Sequence, residues 1–280
     1  MFISPAPEIK AQLMNRVLIP LLHATLIFST NSSRAEAAEP MYEFIREMQE
    51  TVAGQQLRYL LQVPTGDPPA EGWPVLLFLH GYGECGDNIA KVKVHGPPKL
   101  TDEFELLANC VIVSPQCPKD SWWRVDALKA LMDEVIAGRS DIDSQRRYVT
   151  GLSMGGYGIW SFLSEYPDYF AAAVPICGGG DPFHLPKNHP PEKTGIDNEF
   201  DPEGLKLAKQ VPIWTFHGTE DHAVPILETE RLVELLQKAG SNTIRFTRYE
   251  GAGHIAAWEN AYENPDVWKW LFAQRLASDD

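Results

Sequence analysis

The stretch best equipped for chemistry is a serine with a glycine two residues away on each side, Gly151-Leu152-Ser153-Met154-Gly155. A serine hydroxyl at its ordinary pKa is a weak nucleophile, so it must be both presented to a substrate and activated by a base. The apolar run Tyr148-Val149-Thr150 before it and the helical pattern from Gly156 to Glu165 after it predict a strand turning sharply into a helix. So tight a turn leaves little room for side chains two residues before and after the serine, a demand that Gly151 and Gly155 meet. The helix opening there aims backbone N–H groups at any developing negative charge. A five-residue pattern also recurs by chance, so this one needs partners elsewhere in the chain.

An activated serine needs a base to take its proton, an acid to orient that base, and donors for an oxyanion. The acid is expected after a later strand, and Trp214-Thr215-Phe216-His217-Gly218-Thr219-Glu220-Asp221 supplies one. Asp221 ends a Gly-x-x-Asp turn, whereas its neighbour Glu220 reads equally well as a solvated loop charge. His217 and His222 flank this turn as structural or pocket-lining residues. The base is expected last. Tyr249-Glu250-Gly251-Ala252-Gly253-His254 leaves the final strand through two glycines and predicts His254 on an exposed, flexible loop. An earlier loop, Leu79-His80-Gly81-Tyr82-Gly83-Glu84, has glycines that let backbone approach a ligand. It makes the N–H of Tyr82, with that of Met154, the expected oxyanion donors. Losing one such donor typically costs about 3 kcal/mol of transition-state stabilisation. Trp122 and Trp123 read equally as lining of an acyl or aryl pocket and as core, since tryptophans are often largely buried.

The elements that must position these groups follow from hydrophobic patterning. Val75 to Leu79 and Cys110 to Ser114 are continuous apolar runs, as expected of parallel strands covered on both faces. Arg147–Thr150, Ala171–Ile176, Val211–Phe216 and Thr243–Tyr249 are further strands. Helical spacing marks Val125–Ala137, Pro225–Ala239 and Asp266–Leu276. Met41 to Val52 reads as a short helix through Phe44, Ile45 and Met48, and Gln56 to Val63 as an outer antiparallel strand. Strands alternating with helices predict an α/β fold, a mostly parallel central sheet with helices on both faces. Reactive groups then collect beyond the carboxyl ends of the strands. The Pro- and His-rich stretch from Gly180 to Lys206 breaks the pattern and is expected to be a loop bordering the site.

At 280 residues the chain is long enough for one large domain with a full core. A formal net charge of −14 without a basic stripe disfavours nucleic acid as a partner. Val17 to Phe28 is an apolar run preceded by Lys10 and Arg16 and followed by polar Ser29 to Arg34, then by the small-x-small site Ala35-Glu36-Ala37. That layout predicts a secretory signal peptide over residues 1–37, with Met14 a more typical start, and a domain over 38–280 that is exported and holds no membrane anchor. The four cysteines, Cys85, Cys110, Cys117 and Cys177, have no Cys-x-x-Cys spacing, which argues against a zinc site.

The order Ser153, Asp221, His254 is that of α/β-hydrolases. The chain resembles members of that superfamily of the secreted carboxylesterase type, the group described as phospholipase/carboxylesterase-like, polyhydroxybutyrate-depolymerase-like or predicted-peptidase proteins. The resemblance runs from about residue 56 to the end. It is carried by Leu79-His80-Gly81-Tyr82-Gly83-Glu84 with Gly86-Asp87, Pro115-Gln116-Cys117-Pro118 with Trp122-Trp123, Gly151 to Gly158, Val174 to Asp181, Phe216 to Asp221, and Gly253-His254. It implies a single domain, no metal or organic cofactor, and hydrolysis of a small or oligomeric ester by the residues named above. Two positions depart from the group: Cys85 replaces a basic residue, which permits a disulfide with Cys117, and Ile255-Ala256-Ala257 replaces a polar residue after the histidine. Peptide hydrolysis by the same residues, or binding without catalysis on the same scaffold, are the competing readings, because fold alone does not establish activity.

Overall fold

In the computed structural model, which describes residues 41–180 and 200–277, the strands are β1 (Tyr42–Glu47), β2 (Arg58–Val63), β3 (Trp73–Leu79), β4 (Val111–Gln116), β5 (Ile142–Leu152), β6 (Ala172–Ile176), β7 (Ile213–Gly218) and β8 (Ile244–Tyr249). They form one eight-stranded sheet in the order β1-β2-β4-β3-β5-β6-β7-β8. From β4 across to β8 every pairing is parallel, and β1 and β2 extend the sheet antiparallel. The helices are α1 (Glu105–Ala108), α2 (Val125–Ala137), α3 (Met154–Glu165), α4 (Pro202–Leu207), α5 (Leu227–Lys238), α6 (His254–Tyr262) and α7 (Pro265–Phe272).

The apolar runs are continuous because both faces of the sheet are covered. Along β3, Val75, Leu77 and Leu79 join a core with α2, α3 and α5, while Leu76 and Phe78 join a second core with α6 and α7. Side chains alternate across a strand, so one run of five apolar residues feeds two layers. The α/β architecture expected from the sequence is therefore the one observed.

Two expectations need correction. Tyr42–Glu47 is a strand, not part of a helix over Met41–Val52, and pairs with β2 from Tyr42↔Val63 to Glu47↔Arg58. The apolar spacing of Phe44, Ile45 and Met48 fits a helix, but β2 offers an unpaired edge whose N–H and C=O groups this segment satisfies. As a result β2 lies inside the sheet rather than at its rim. Secondly, all four cysteines are free thiols. The Cys85 thiol donates towards Met154 Sδ at 4.0 Å. A hydrogen bond with Cys85, together with burial, pushes the Cys117 thiol well above its ordinary value.

The expected leader over residues 1–37 lies outside the described residues, as does most of the expected loop from Gly180 to Lys206; the end of that loop is helical, in α4. Among the described residues no helix is long and apolar enough to cross a membrane.

Candidate active site

The strand order changes direction around β3: the chain steps to β4 on one side, then returns to β5 on the other. The loops leaving β3 and β5 therefore diverge and open a crevice at the carboxyl ends of the strands. Ser153 stands at that point, between β5 and α3, with φ 53° and ψ −116°. This strained conformation is held by Ser153 N–H donating to Ile176 O at 2.9 Å and Tyr157 N–H donating to Ser153 O at 3.1 Å. Glycine is required just beyond it, because a Cβ on Gly155 would collide with the Leu79 carbonyl. The elbow and the end of β3 are thus packed backbone to backbone.

His254 Nε2 lies 2.8 Å from Ser153 Oγ, and His254 Nδ1 lies 2.6 Å from Asp221 Oδ2. A carboxylate only accepts, so Nδ1 carries the hydrogen and Nε2 is left to accept from the serine hydroxyl. Asp221 Oδ1 accepts from Ala223 N–H at 2.9 Å and Val224 N–H at 2.8 Å. Burial would raise the Asp221 carboxyl, but hydrogen bonds from His217, His254 and Val224 N–H outweigh it and hold the group well below the usual carboxylate range. His254 is not on a flexible loop: it is the first residue of α6, after Gly253 at the cap, with its ring 5.1 Å from that of Trp258. Ile255-Ala256-Ala257 suit this helix, Ile255 facing outward and Ala257 buried.

The loop after β3 runs against the serine, since a Cβ placed on Gly81 would lie 3.7 Å from Ser153 Cβ and 2.9 Å from Leu152 Cδ1. Tyr82 opens a short 3-10 helix there and Met154 opens α3. Both residues therefore stand at the first turns of their helices, beside the serine. The loop is braced from behind by His80, whose Nδ1–H donates to Gly81 O at 2.6 Å while Nε2 accepts from Cys117 N–H at 3.0 Å. Burial lowers His80 to about 4, so it stays neutral in this role.

Ser153, His254 and Asp221 are therefore brought together, with the loop of Tyr82 beside them. Trp122 and Trp123 are buried: Trp123 packs its ring 4.8 Å from His80 and Trp122 lies 5.9 Å from Tyr157. His222 is exposed on the turn after the acid. Reasoning from sequence missed His80, and it read His217 as structural or pocket-lining without identifying what it touches. The second touches Asp221 itself, with Nε2 at 3.2 Å from Oδ2. A histidine four residues before the acid, across a glycine turn, was the available signal. Cys177 Sγ, an Asp221 oxygen and a His254 nitrogen also lie within 4.8 Å of one another. Asp221 and His254 already hydrogen bond directly, which leaves no gap between them for an ion.

Comparison with known proteins agrees with this geometry. The Prolyl oligopeptidase family matches residues 192–276, the segment that carries Asp221 and His254. The chain is similar to a poly(3-hydroxyoctanoate) depolymerase of Pseudomonas fluorescens, 25% identical over 250 residues, covering 74% of this chain and 80% of that protein. Among solved structures it is similar to a thermostable esterase at 30% identity and a TM-score of 0.63, covering 85% of this chain and 64% of that one. An S-formylglutathione hydrolase of Staphylococcus aureus shares the fold at a TM-score of 0.66 and 18% identity, over 84% of this chain and all of that one, 100%. In its strand order, its hydrogen-bonded Ser–His–Asp group and these likenesses, the chain is an α/β-hydrolase of the carboxylesterase-like type.

Proposed function

We propose that this chain hydrolyses carboxylic esters through an acyl-enzyme formed on Ser153. The observation that carries the reading is the hydrogen-bonded series Ser153 Oγ–His254–Asp221, at 2.8 and 2.6 Å. His254 takes the hydroxyl proton as Ser153 Oγ attacks the ester carbonyl, and Asp221 holds the imidazole in its tautomer and stabilises the imidazolium. The N–H groups of Tyr82 and Met154 receive the oxyanion. The alcohol leaves with the proton from His254, and water, deprotonated by the same imidazole, then releases the acid. Nucleophile, base, acid and oxyanion donors all come from the chain, so the reaction calls on no cofactor. The names of the depolymerase and esterase relatives support an ester over other acyl substrates. The charged, apolar and small-residue layout of residues 1–37 supports export of the domain over 38–280.

The match to the Prolyl oligopeptidase family favours a second reading, peptide hydrolysis by the same residues. One assay decides between them. Residues 38–280 are expected to hydrolyse short-chain nitrophenyl esters, with kcat falling about 10⁴-fold or more in Ser153→Ala. Unchanged turnover in that variant sinks the serine mechanism, and cleavage of chromogenic peptides without cleavage of esters selects the peptidase. Fluorophosphonate labelling of Ser153 that disappears in His254→Ala reports whether the three residues act together.

A further inference from the structure

Asp221 is shared by two histidines, and only one of them reaches the serine. His217, near the end of β7, is fully buried, with Nε2 at 2.9 Å from Val224 O and 3.2 Å from Asp221 Oδ2. Both neighbours only accept, so Nε2 must carry a hydrogen. Its Nδ1 lies 2.7 Å from Thr229 Oγ1 on α5, and that hydroxyl is 3.0 Å from Gly178 O. A threonine has one hydrogen to give. Pointed at Nδ1 it leaves His217 neutral; pointed at Gly178 O it requires a second hydrogen on the ring. In either state the Nε2–H donates to Val224 O at 2.9 Å, with Asp221 Oδ2 beside the same hydrogen at 3.2 Å from Nε2. Asp221 accepts from Ala223 and Val224 N–H on Oδ1 and from His254 on Oδ2, and His217 Nε2 stands 3.2 Å from that same Oδ2.

We propose that His217 is a positioning residue for ester hydrolysis: it fixes Asp221 with Oδ2 turned to His254 and, by drawing on the same oxygen, limits how strongly that carboxylate holds the His254 imidazolium. The inference rests on the proposed function and deepens it. The other titratable or charged groups near this cluster are the Cys177 thiol beyond β6, pushed up by burial, and Glu228 on α5, paired with Arg231 at 3.3 Å. Glu220 lies beside Asp221 on the turn, and Ser153 and His254 complete the surroundings. Without the His217 donor the carboxylate is more basic and stabilises protonated His254 more, so the enzyme stays in its inactive protonated form to a higher pH.

The test is the pH dependence of kcat/KM on nitrophenyl butyrate for the wild type, His217→Leu and His217→Gln, with thermal melting to verify folding. His217→Leu is expected to move the acid limb up by about one pH unit. His217→Gln, whose amide N–H can occupy the place of Nε2–H, is expected to bring the limb back towards the wild type. A folded His217→Leu with a lower rate but an unmoved limb overturns the proposal, as does a His217→Gln that behaves like the leucine variant. If the leucine variant does not fold, the wild type still decides by ¹⁵N-histidine NMR. His217 Nε2 is expected to remain protonated across the range in which His254 titrates, and an unprotonated Nε2 overturns the proposal. A wild type that turns over no ester at any pH overturns the proposed function instead, which separates the two failures.

Discussion

At Asp221 several weak demands meet in one carboxyl group. Burial disfavours its charge, and hydrogen bonds from His217, His254 and Val224 N–H more than restore it, so the folded protein holds the group well below its ordinary value. As pH falls, such a group takes up its proton later in the folded chain than in the unfolded one. The stability it contributes is complete above the unfolded value, about 4, and is lost as pH drops towards the folded value. Asp221→Asn removes that charge at every pH. The Tm gap between wild type and Asp221→Asn is therefore expected to be widest near neutrality and to narrow below about pH 4. The same variant is expected to lose about 10⁴-fold in kcat, because an amide can present the wrong partner to Nδ1. A Tm gap that widens in acid would refute this account of the carboxyl. Ser153, Asp221 and His254 were legible because each sits beside glycines at a strand end, and residue type plus turn chemistry identify such positions. His80 was not, and His217 was legible only as structural or pocket-lining, because what matters in them is which atom each ring nitrogen faces, and spacing alone does not carry that information.

At the scale of elements, the site depends on how closely the elbow approaches β3. An alanine at Gly155 would drive its Cβ into the Leu79 carbonyl, and backbone packed against backbone has no side chain that can move aside. Gly155→Ala is expected to destabilise the fold by about 2–4 kcal/mol and to abolish esterase activity, read by thermal melting and turnover. Gly83, in the loop after β3, meets nothing within 4 Å of an added Cβ. Gly83→Ala should therefore melt within about 0.5 kcal/mol of wild type. Equal stability of the two variants would show that the close approach is not needed. The strands covered on both faces were readable because continuous apolar runs have few other uses. β1 was not: among its residues only Phe44 is even partly buried, so its pairing comes from the open edge of β2 rather than from its own pattern. The same limit applies to Cys85, where a residue type that permits a disulfide does not decide whether the bond forms; here the Cys85 and Cys117 thiols stay free and hydrogen bonded.

For the whole molecule the governing quantity is charge. A formal −14 over 280 residues gives the chain a net negative charge, and the loop after β3 adds Glu84 beside Gly81. Burial pushes the Glu84 carboxyl up from its ordinary value. The wider field acts on any substrate that approaches. Its reach is set by salt: the screening length is about 30 Å at 0.01 M ionic strength and about 8 Å at 0.15 M. An ester carrying its own carboxylate is repelled over the longer distance and much less over the shorter one, whereas a neutral ester of similar size is indifferent to both. For a carboxylate-bearing nitrophenyl ester, kcat/KM is expected to rise as ionic strength increases between these limits, while that for nitrophenyl butyrate stays flat. The rise should lie in KM rather than kcat, because salt alters the encounter and leaves the short hydrogen bonds of Ser153, His254 and Asp221 unchanged. A rate on the anionic ester that falls with salt would mean that a local cationic subsite outweighs the net charge, and the substrate class would then have to be sought among acids.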